Sequence, residues 1–435
     1  MGGFITAILR RTFSECKNRH ANFSRKSTGN VGKIIFAGYH VGMTENCYPK
    51  NPLSNAGKLD AFRSELIDDI SNRQNNTWQL TDGQITLPGV FGFCRGVKRA
   101  IAMALEAARE HKATQNPGKL VLLGEIIHNP WVNDFFRNQG VEILTKAQRQ
   151  CDQIEKYVGP GDCAIIPAFG VALPIERKLG EIGCKIVNCS CGDVIRLWRW
   201  SEAEVREGFS VLIFGKPLHD ETVVTKSRLA EAGGEYIVVE NMQKVARFAE
   251  LIKAGHDVSP IEEFGADATN ARSLKPFEKL AQVSQTTMLY NDTQNVREII
   301  GDAFASRFGA DQLENCLRVQ PTVCRATQDR QNAAVELCQS RPDLVIVVGG
   351  FGSSNTRHLY ELAKQYAPAF LIEGADSVIS QQKLLAWNEK QACATEISDW
   401  FPQQRPIRLG ILAGASSPEI VIGQVVQKLG EFLSK

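Results

Sequence analysis

The sequence predicts an α/β protein built on parallel sheets, and three observations support this class. Short apolar runs rich in β-branched residues recur from residue 86 onwards, and they are apolar along their whole length rather than at alternate positions. Amphipathic stretches separate these runs, and polar residues capable of catalysis or ligand binding follow the apolar runs. Strands buried on both faces and alternating with helices are typical of parallel sheets, which bind ligands at the carboxyl ends of their strands.

The strands and helices follow from this periodicity. The predicted strands are Leu120–Leu123, Ala164–Ile166, Lys185–Val187, Val211–Phe214, Tyr236–Val239, Leu344–Val348, Ala369–Ile372 and Ile407–Leu412. The predicted helices include Leu59–Arg73, Val97–His111, Thr356–Tyr366 and Glu419–Leu433. Proline, glycine and charged residues cluster around Lys253–Lys275, which is interpreted as a connecting segment.

Length and composition restrict the possible classes of protein. A chain of 435 residues favours two or three domains. No apolar run approaches the roughly 18 residues that suggest a membrane span, so no membrane partner is expected. Because 50 basic residues balance 48 acidic ones, no general nucleic-acid surface is expected, although a local basic pocket remains compatible with this balance.

The cysteines and the first residues bear on the compartment. Twelve scattered cysteines do not form a disulfide pattern, which favours a reducing cytoplasm. Met1–Leu9 is apolar but too short for a secretory signal and has no charged lead. The first 33 residues contain one acidic residue, Glu15, among several basic ones, which is typical of a transit peptide or of a flexible basic arm.

Three cysteines occupy similar positions before predicted helices. Cys94 is flanked by glycines in Gly92–Val97, and Cys191 and Cys324 also lie at strand-to-helix junctions. Amide donors and the positive dipole end of a helix stabilise a thiolate or an iron-bound sulfur. The alternative is three inert buried thiols, because their wide separations match no local ferredoxin or zinc pattern.

Two glycine- and serine-rich segments suggest anion sites. Ser353, Ser354 and Asn355 open a helix after the strand Leu344–Val348, and Ala413–Pro418 follows the last strand in a similar way. Ordinary helix caps are the alternative for each segment. A dinucleotide-binding fingerprint is incomplete here, because Asn355 stands where its third glycine belongs.

Two histidines and a carboxylate also follow apolar runs. His128 and His219 are candidates for anion binding, and Glu221 lies two residues after His219. Each histidine could instead be a satisfied core residue, and the carboxylate could be merely solvated.

Taken together in this order, these motifs resemble those of the 4-hydroxy-3-methylbut-2-enyl diphosphate reductase family, in its plant and cyanobacterial branch. The resemblance runs from about residue 78 to the end. The matching motifs are Gly92–Val97, Glu125–Asn129, Pro167–Gly170, Gly215–Thr222, Gln285–Met288, Thr322–Gln331, Val347–Gly350, Ser353–Thr356 and Gly414–Ser416. Asn22–Lys26 also looks like that branch.

The resemblance implies three parallel-sheet α/β domains in a trefoil around a central 4Fe–4S cluster, one per chain. Cys94, Cys191 and Cys324 would hold three irons, and the open fourth iron would take the hydroxyl group of the substrate. We assign residues 86–190, 191–320 and 321–418 to the three domains. Residues 1–85 would be an amino-terminal extension, and residues 419–435 a carboxy-terminal helix.

The activity implied by the resemblance is the reductive dehydroxylation of 4-hydroxy-3-methylbut-2-enyl diphosphate. The products are isopentenyl and dimethylallyl diphosphate, in the last step of the non-mevalonate isoprenoid pathway. A ferredoxin or a flavodoxin would supply the electrons. The compartment would be the cytoplasm, or the plastid stroma if the source is a photosynthetic eukaryote.

The resemblance also assigns roles to individual residues. Glu221 would be the acid that delivers protons, with Thr286 in the same hydrogen-bond chain and in contact with the substrate. The diphosphate-binding residues would be His128, His219, Ser353, Ser354, Asn355 and Ser416.

The chain departs from the family pattern at a few positions. Phe169 stands where the bacterial branch has a third diphosphate-binding histidine, although the plant-like branch shares the phenylalanine. Asn188–Gly192 replaces the usual Asp-Thr-Thr-Cys-Pro, and Gly352 replaces an asparagine. In the altered loop Cys189 competes with Cys191 for one iron, and the family spacing to the following valine and tryptophan favours Cys191.

Two other classes of function are weaker alternatives. A cluster-bearing sensor that no longer turns over has no need of Glu221 and Thr286. A nicotinamide-dependent dehydrogenase would leave the three cysteines without a role.

Overall fold

The computed structural model describes residues 56–115 and 118–434, all within one unit that spans 49–435. The predicted basic arm and Asn22–Lys26 lie outside the described residues. No helix in the described ranges combines the length and apolarity needed to cross a membrane.

Strands and helices alternate through most of the described chain. The strands are β1 Thr77–Leu80, β2 Gly83–Thr86, β3 Leu120–Leu122, β4 Glu142–Ile143, β5 Cys163–Ile166, β6 Lys185–Asn188, β7 Ser210–Phe214, β8 Tyr236–Val239, β9 Leu280–Ser284, β10 Leu317–Val319, β11 Leu344–Val348, β12 Ala369–Ile372, β13 Lys383–Asn388, β14 Cys393–Ser398 and β15 Ile407–Ala413. The α-helices are α1 Glu65–Ser71, α2 Arg95–Ala113, α3 Pro130–Asn138, α4 Leu173–Ile182, α5 Gly192–Arg206, α6 Asp220–Glu231, α7 Met242–Ala254, α8 Pro260–Phe264, α9 Tyr290–Phe308, α10 Leu313–Cys316, α11 Arg325–Gln339, α12 Ser354–Ala363 and α13 Glu419–Phe432. Short 3-10 helices cover Ala56–Phe62, Gln74–Asn76, Ile154–Lys156, Lys275–Glu278, Ala310–Gln312 and Ala375–Ser377.

Three sheets carry the fold. The first has the strand order β4-β3-β5-β6 and the second β10-β9-β7-β8, and every strand pair in both is parallel. The third has the order β1-β2-β15-β11-β12, and only its pair β1–β2 is antiparallel. The strands β13 and β14 form a separate antiparallel hairpin. The predicted class, α/β with three mainly parallel sheets, is therefore confirmed.

The buried side chains explain why the strands are apolar along their whole length. In the first sheet Leu122 packs into one core cluster, while its neighbours Val121 and Leu123 pack into another. Successive side chains of a strand point to opposite faces of the sheet. Because both faces are covered, the side chains at every position of a central strand such as β3 are shielded from water.

The third sheet extends beyond the residues predicted for its domain. Strand β2, which was placed in the amino-terminal extension, pairs in parallel with β15, and Ile85 is fully buried in the same core as Ile422 of α13. The hairpin β1–β2 and the carboxy-terminal helix therefore belong to the third sheet and its covering layer. The helix predicted over Leu59–Arg73 is interrupted, because the Ser64 hydroxyl caps α1 by accepting a hydrogen bond from the Ile67 amide.

Candidate active site

Three cysteines precede three helices in the same geometry. Cys94, Cys191 and Cys324 are the N-cap residues of α2, α5 and α11. The Sγ atoms of Cys94 and Cys324 each accept a hydrogen bond at 3.4 Å, from the amides of Val97 and Thr327. The positive end of a helix dipole therefore faces each of the three sulfur positions.

The three thiols also lie near one another. A β-carbon on Gly96 would stand 2.7 Å from Cys191 Sγ and 3.8 Å from Cys94 Sγ, so only a glycine leaves room for the Cys191 sulfur at this position. Burial is the main cause that raises the pKa of Cys191 to about 12 and that of Cys324 to about 11, and charge on Cys94 raises both further. The thiols of Cys191 and Cys324 are therefore neutral at neutral pH, and a thiophilic metal would have to displace their protons.

The donor set indicates which metal group would fit. Among residues 56–115 and 118–434, no three His, Cys, Asp or Glu side chains are close enough to hold a single metal ion. The donors at this centre are sulfur only, and thiolates select iron–sulfur cores, which span more space than one ion. The three cysteines fit such a core, and the absence of a side chain on Gly96 lets Cys191 Sγ approach Cys94 Sγ.

A buried arginine joins two of the cysteine loops. Arg330 on α11 is 4% exposed and donates hydrogen bonds to the carbonyl of Gly92 at 2.6 and 3.2 Å and to that of Ala326 at 2.8 Å. It forms no ion pair with another described residue. Burial lowers its pKa, while charge on Cys94 and Cys324 raises it. Sequence reasoning missed Arg330, although the residue lies inside a matched motif.

A second hydrogen-bond chain connects the same two cysteine loops. Thr327 Oγ1 lies 3.2 Å from Cys324 Sγ and accepts a hydrogen bond from Asn355 Nδ2 at 3.2 Å. Asn355 Oδ1 accepts from the Ala415 amide, and the Ala415 carbonyl accepts from the Cys94 amide at 3.2 Å. Both ends of the Asn355 amide are thus engaged within the protein, in addition to the diphosphate contact predicted for this residue.

Glu221 lies in the first turn of α6 and is 1% exposed. Its two carboxylate oxygens accept hydrogen bonds from the amide and the hydroxyl of Thr286, at 2.7 and 2.6 Å. Burial raises the pKa of Glu221 to about 7, against the lowering effect of these two hydrogen bonds. The Thr286 carbonyl accepts from the Cys324 amide at 3.0 Å, so the carboxyl group is two contacts away from a cysteine loop.

The two predicted histidines lie on the other side of Glu221. His219 is the N-cap of α6, and its Nδ1 accepts a hydrogen bond from the Glu221 amide at 3.3 Å. Burial, followed by the neighbouring His128, lowers the pKa of His219 to about 3, so the ring is neutral and its proton lies on Nε2. His128 stacks on Phe169 with 4.4 Å between ring centroids and meets the His219 ring edge-on at 5.5 Å.

Loops from the third sheet close against His128. Ser416 Oγ donates to the His128 carbonyl at 3.4 Å, and a β-carbon on Gly350 would come within 2.4 Å of that carbonyl oxygen. Ser353 caps α12, its hydroxyl accepting from the Thr356 amide. The hydroxyl of Ser354 is buried and has no hydrogen-bond partner among the described residues. A free donor at a helix start is suited to an anion.

These contacts connect most of the predicted site residues in one continuous series. The series runs from the cysteines through Thr286 and Glu221 to the histidines and the serine loops. Cys189 does not belong to this series, because it is fully buried in the core cluster that contains Leu122 of the first sheet. Sequence reasoning also missed Thr327, whose hydroxyl lies beside Cys324.

Together, the fold and the site define a three-sheet α/β protein with a sulfur-only donor set beside loops of histidine, serine and amide donors. The model of the LytB protein family matches residues 85–430, so the chain belongs to that family. A 4-hydroxy-3-methylbut-2-enyl diphosphate reductase of Thermosynechococcus vestitus is 34% identical over 373 residues, which cover 85% of this chain and 89% of that protein. Another, from Trichormus variabilis, is 32% identical over 423 residues, or 96% and 97% of the two chains. The resemblance inferred from the motifs is confirmed.

One solved structure supports the fold. The E-1-hydroxy-2-methyl-but-2-enyl-4-diphosphate reductase from Plasmodium falciparum superposes with a TM-score of 0.56 at 20% sequence identity. The match covers 80% of this chain and 87% of that one.

Proposed function

We propose that this chain is the reductase its relatives are named for. It would convert 4-hydroxy-3-methylbut-2-enyl diphosphate to isopentenyl and dimethylallyl diphosphate. The allylic C–O bond breaks, a C–H bond forms, two electrons and two protons enter, and water leaves. The observation that carries the proposal is the buried Glu221–Thr286 pair, which connects the cysteine loops to the histidine and serine donors.

A 4Fe–4S cluster held by Cys94, Cys191 and Cys324, with the three domains in a trefoil around it, is part of the proposal. The sulfur-only donor set and the close approach of the Cys191 and Cys94 sulfurs beside Gly96 support it. When bound, such a cluster supplies electrons one at a time and a Lewis-acidic iron for the departing hydroxyl group. A ferredoxin or a flavodoxin would be the electron donor. The described cysteines are free thiols, which supports a reducing compartment such as the cytoplasm or a plastid stroma.

Glu221 is proposed to be the proton donor. With a pKa of about 7, a large fraction of its carboxyl groups carries a proton at neutral pH. The protonated oxygen can donate to Thr286 Oγ1, which frees the threonine hydroxyl hydrogen to point towards a substrate. One proton would leave with the hydroxyl group as water, and the other would enter the new C–H bond.

The diphosphate is proposed to bind His128, His219, Ser353, Ser354, Asn355 and Ser416, and Thr286 is proposed to contact the substrate. The neutral His219 offers Nε2–H as a donor, and the partnerless Ser354 hydroxyl offers another at the start of α12. Donors that are already desolvated and fixed in place lose little freedom when the anion arrives.

Turnover by the anaerobically purified and reconstituted protein tests the proposal. Iron and sulfide are quantified, and the protein is then mixed with the allylic diphosphate and a one-electron reductant. Consumption of the substrate with formation of both products is the expected result. A protein that holds the cluster and binds the substrate without forming product would be a sensor instead.

A further inference from the structure

A cleft of about 580 Å³ opens beside the two histidines. His128, His219 and Gly352 line it, and so do five basic side chains: Arg137, Lys146, Arg149, Lys216 and Arg357. The chain as a whole is nearly neutral, so this local concentration of positive charge distinguishes the cleft from the rest of the molecule.

Three of these cations have carboxylate partners. Arg137 pairs with Asp134 at 2.6 Å. Lys146 and Arg149 both pair with Asp220, at 3.1 and 3.0 Å. Asp134 therefore compensates Arg137, and Lys146 and Arg149 share the single carboxylate of Asp220.

The other two cations lack such partners. Neither Lys216 nor Arg357 forms an ion pair with a residue in the described ranges. Arg357 Nε is buried without a hydrogen-bond partner there, and the guanidinium group lies 5.8 Å from the ring centroid of Trp387. Lys216 is half-buried, and its pKa is lowered first by burial and then by the charge of Arg357, against the raising effect of Glu361 and Glu240. Two neighbouring, partly desolvated cations repel each other, and an anion between them would remove that cost.

We propose that Lys216 and Arg357 bind the diphosphate of the substrate, in addition to the histidines and serines. This inference rests on the proposed function. Lys216 precedes His219 by three residues in the loop after β7, and Arg357 lies one helical turn after Ser353, whose carbonyl accepts from the Arg357 amide at 3.1 Å. Hydroxyl and amide donors carry no charge that compensates a multiply charged anion. The two cations supply that compensation, and hydrogen bonds from charged donors are stronger than those from neutral ones.

The variants Lys216→Met and Arg357→Met, compared with Arg137→Met, test the assignment. Arg137 lines the same cleft, but its charge is already paired with Asp134. Isothermal titration with inorganic pyrophosphate and steady-state kinetics of the reconstituted enzyme are the measurements. The variants at 216 and 357 should each raise the pyrophosphate Kd and the substrate KM roughly 10- to 100-fold, with little change in kcat. Arg137→Met should change both constants less than about twofold.

Melting temperature and iron content establish that each variant is folded and loaded. Arg357→Lys retains the charge and should recover part of the lost affinity, even if Arg357→Met is too unstable to study. Wild-type affinity for pyrophosphate in Lys216→Met and in Arg357→Met, or in Arg357→Gln where the methionine variant is unstable, would overturn the assignment. If pyrophosphate binding depends on both residues while no allylic diphosphate is reduced, the anion site stands and the proposed function fails. If Lys216→Met and Arg357→Met both turn over normally with an unchanged KM, the proposed function stands and the assignment of these two residues fails.

Discussion

Thr286 donates two hydrogen bonds to the Glu221 carboxylate, from its amide at 2.7 Å and from its hydroxyl at 2.6 Å. Glu221 lies in the first turn of α6, which follows β7, and Thr286 follows β9, the neighbouring strand of the second sheet. The Thr286 carbonyl accepts from the Cys324 amide. A buried acid is thereby fixed beside one of the proposed cluster loops.

Glu221→Gln should separate substrate binding from proton delivery. Glutamine preserves the size and most hydrogen bonds of the side chain but cannot release a carboxylic proton. Turnover at saturating substrate should fall roughly 10²–10⁴-fold, while pyrophosphate affinity stays near that of the wild type. Near-normal turnover would exclude Glu221 as the acid.

The raised pKa of Glu221 predicts a pH dependence. Burial raises this pKa to about 7, and the acid must be protonated, so wild-type turnover should decline as pH rises through about 7. Because the folded-state pKa exceeds the usual 4.5, the linked contribution to stability is complete below pH 4.5 and is lost as pH rises through about 7. Glu221→Gln should show a flatter dependence of melting temperature on pH across that range. An unchanged profile of both turnover and melting temperature would contradict the assigned titration.

Cys94→Ser and Cys324→Ser should each remove most of the bound iron and nearly all activity. Thiolates select iron–sulfur cores, and a serine hydroxyl is a harder and less acidic ligand. Iron and sulfide content after anaerobic reconstitution is the measurement. Cys338→Ser provides a matched control, because that thiol is buried beside the third sheet and away from the site. Full iron content in either ligand variant would exclude that cysteine from the cluster.

Gly96→Ala should impair cluster binding without unfolding the protein. The new β-carbon would stand 2.7 Å from Cys191 Sγ, a side-chain end that can turn away and lose its position as a ligand. Alanine is otherwise favoured over glycine within a helix by about 1 kcal/mol. Gly301→Ala in α9 is the control, because nothing lies within 4 Å of its added β-carbon. We expect reduced iron content at 96 and normal iron content at 301, and equal contents would show that the space beside Gly96 is not needed.

The sequence predicted strands well where they are uniformly apolar. The bounds of β8, β11 and β12 match the prediction, because short and continuously apolar runs favour a strand that is buried on both faces. Strand β9 was missed, since the polar residues Gln282 and Ser284 are buried within it. The hairpin β13–β14 was also missed, because its burial alternates and lacks the continuous apolar signal.

The site residues that the sequence revealed are those with fixed positions at strand ends and helix starts. Whether a cation has a carboxylate partner is a property of the folded chain, so Lys216 and Arg357 could not be distinguished from Lys146 and Arg149 beforehand. The same holds for Arg330, whose partners at Gly92 are distant in sequence. The sequence shows which residues can carry a charge, but it does not show which of them form ion pairs in the folded chain.

Arg330→Met should weaken the centre through lost charge and lost hydrogen bonds. The guanidinium group holds the Gly92 carbonyl near Cys94, and its positive charge lies close to two proposed thiolate ligands. We expect lower iron content and a cluster reduction potential shifted to more negative values, measured by redox titration with electron paramagnetic resonance. Arg330→Lys should show a smaller shift in potential, because the charge remains. An unchanged potential in Arg330→Met would indicate a structural role only.

The final prediction concerns the altered loop, where Cys189 and Cys191 are the alternatives for one iron. Cys189 is fully buried in the core cluster of the first sheet that also contains Cys163. Burial raises the pKa of Cys189 to about 12. Cys191 instead begins α5, with its Sγ in the space beside Gly96. Cys191→Ser should therefore strip the cluster to three irons or fewer, whereas Cys189→Ser should retain it and lose some thermal stability.

Asn188 explains how the loop keeps its shape without the family aspartate. Its Oδ1 accepts a hydrogen bond from the Ser190 amide at 3.0 Å, as a carboxylate oxygen could. The loop backbone is also fixed by the Cys189 and Cys191 amides, which donate to Ile166 and Ala168 at 3.0 and 2.8 Å. Because these contacts involve backbone atoms, both serine variants should retain the loop conformation, and iron content then reports ligation alone. Loss of iron in Cys189→Ser with full iron in Cys191→Ser would reverse the assignment of the ligand.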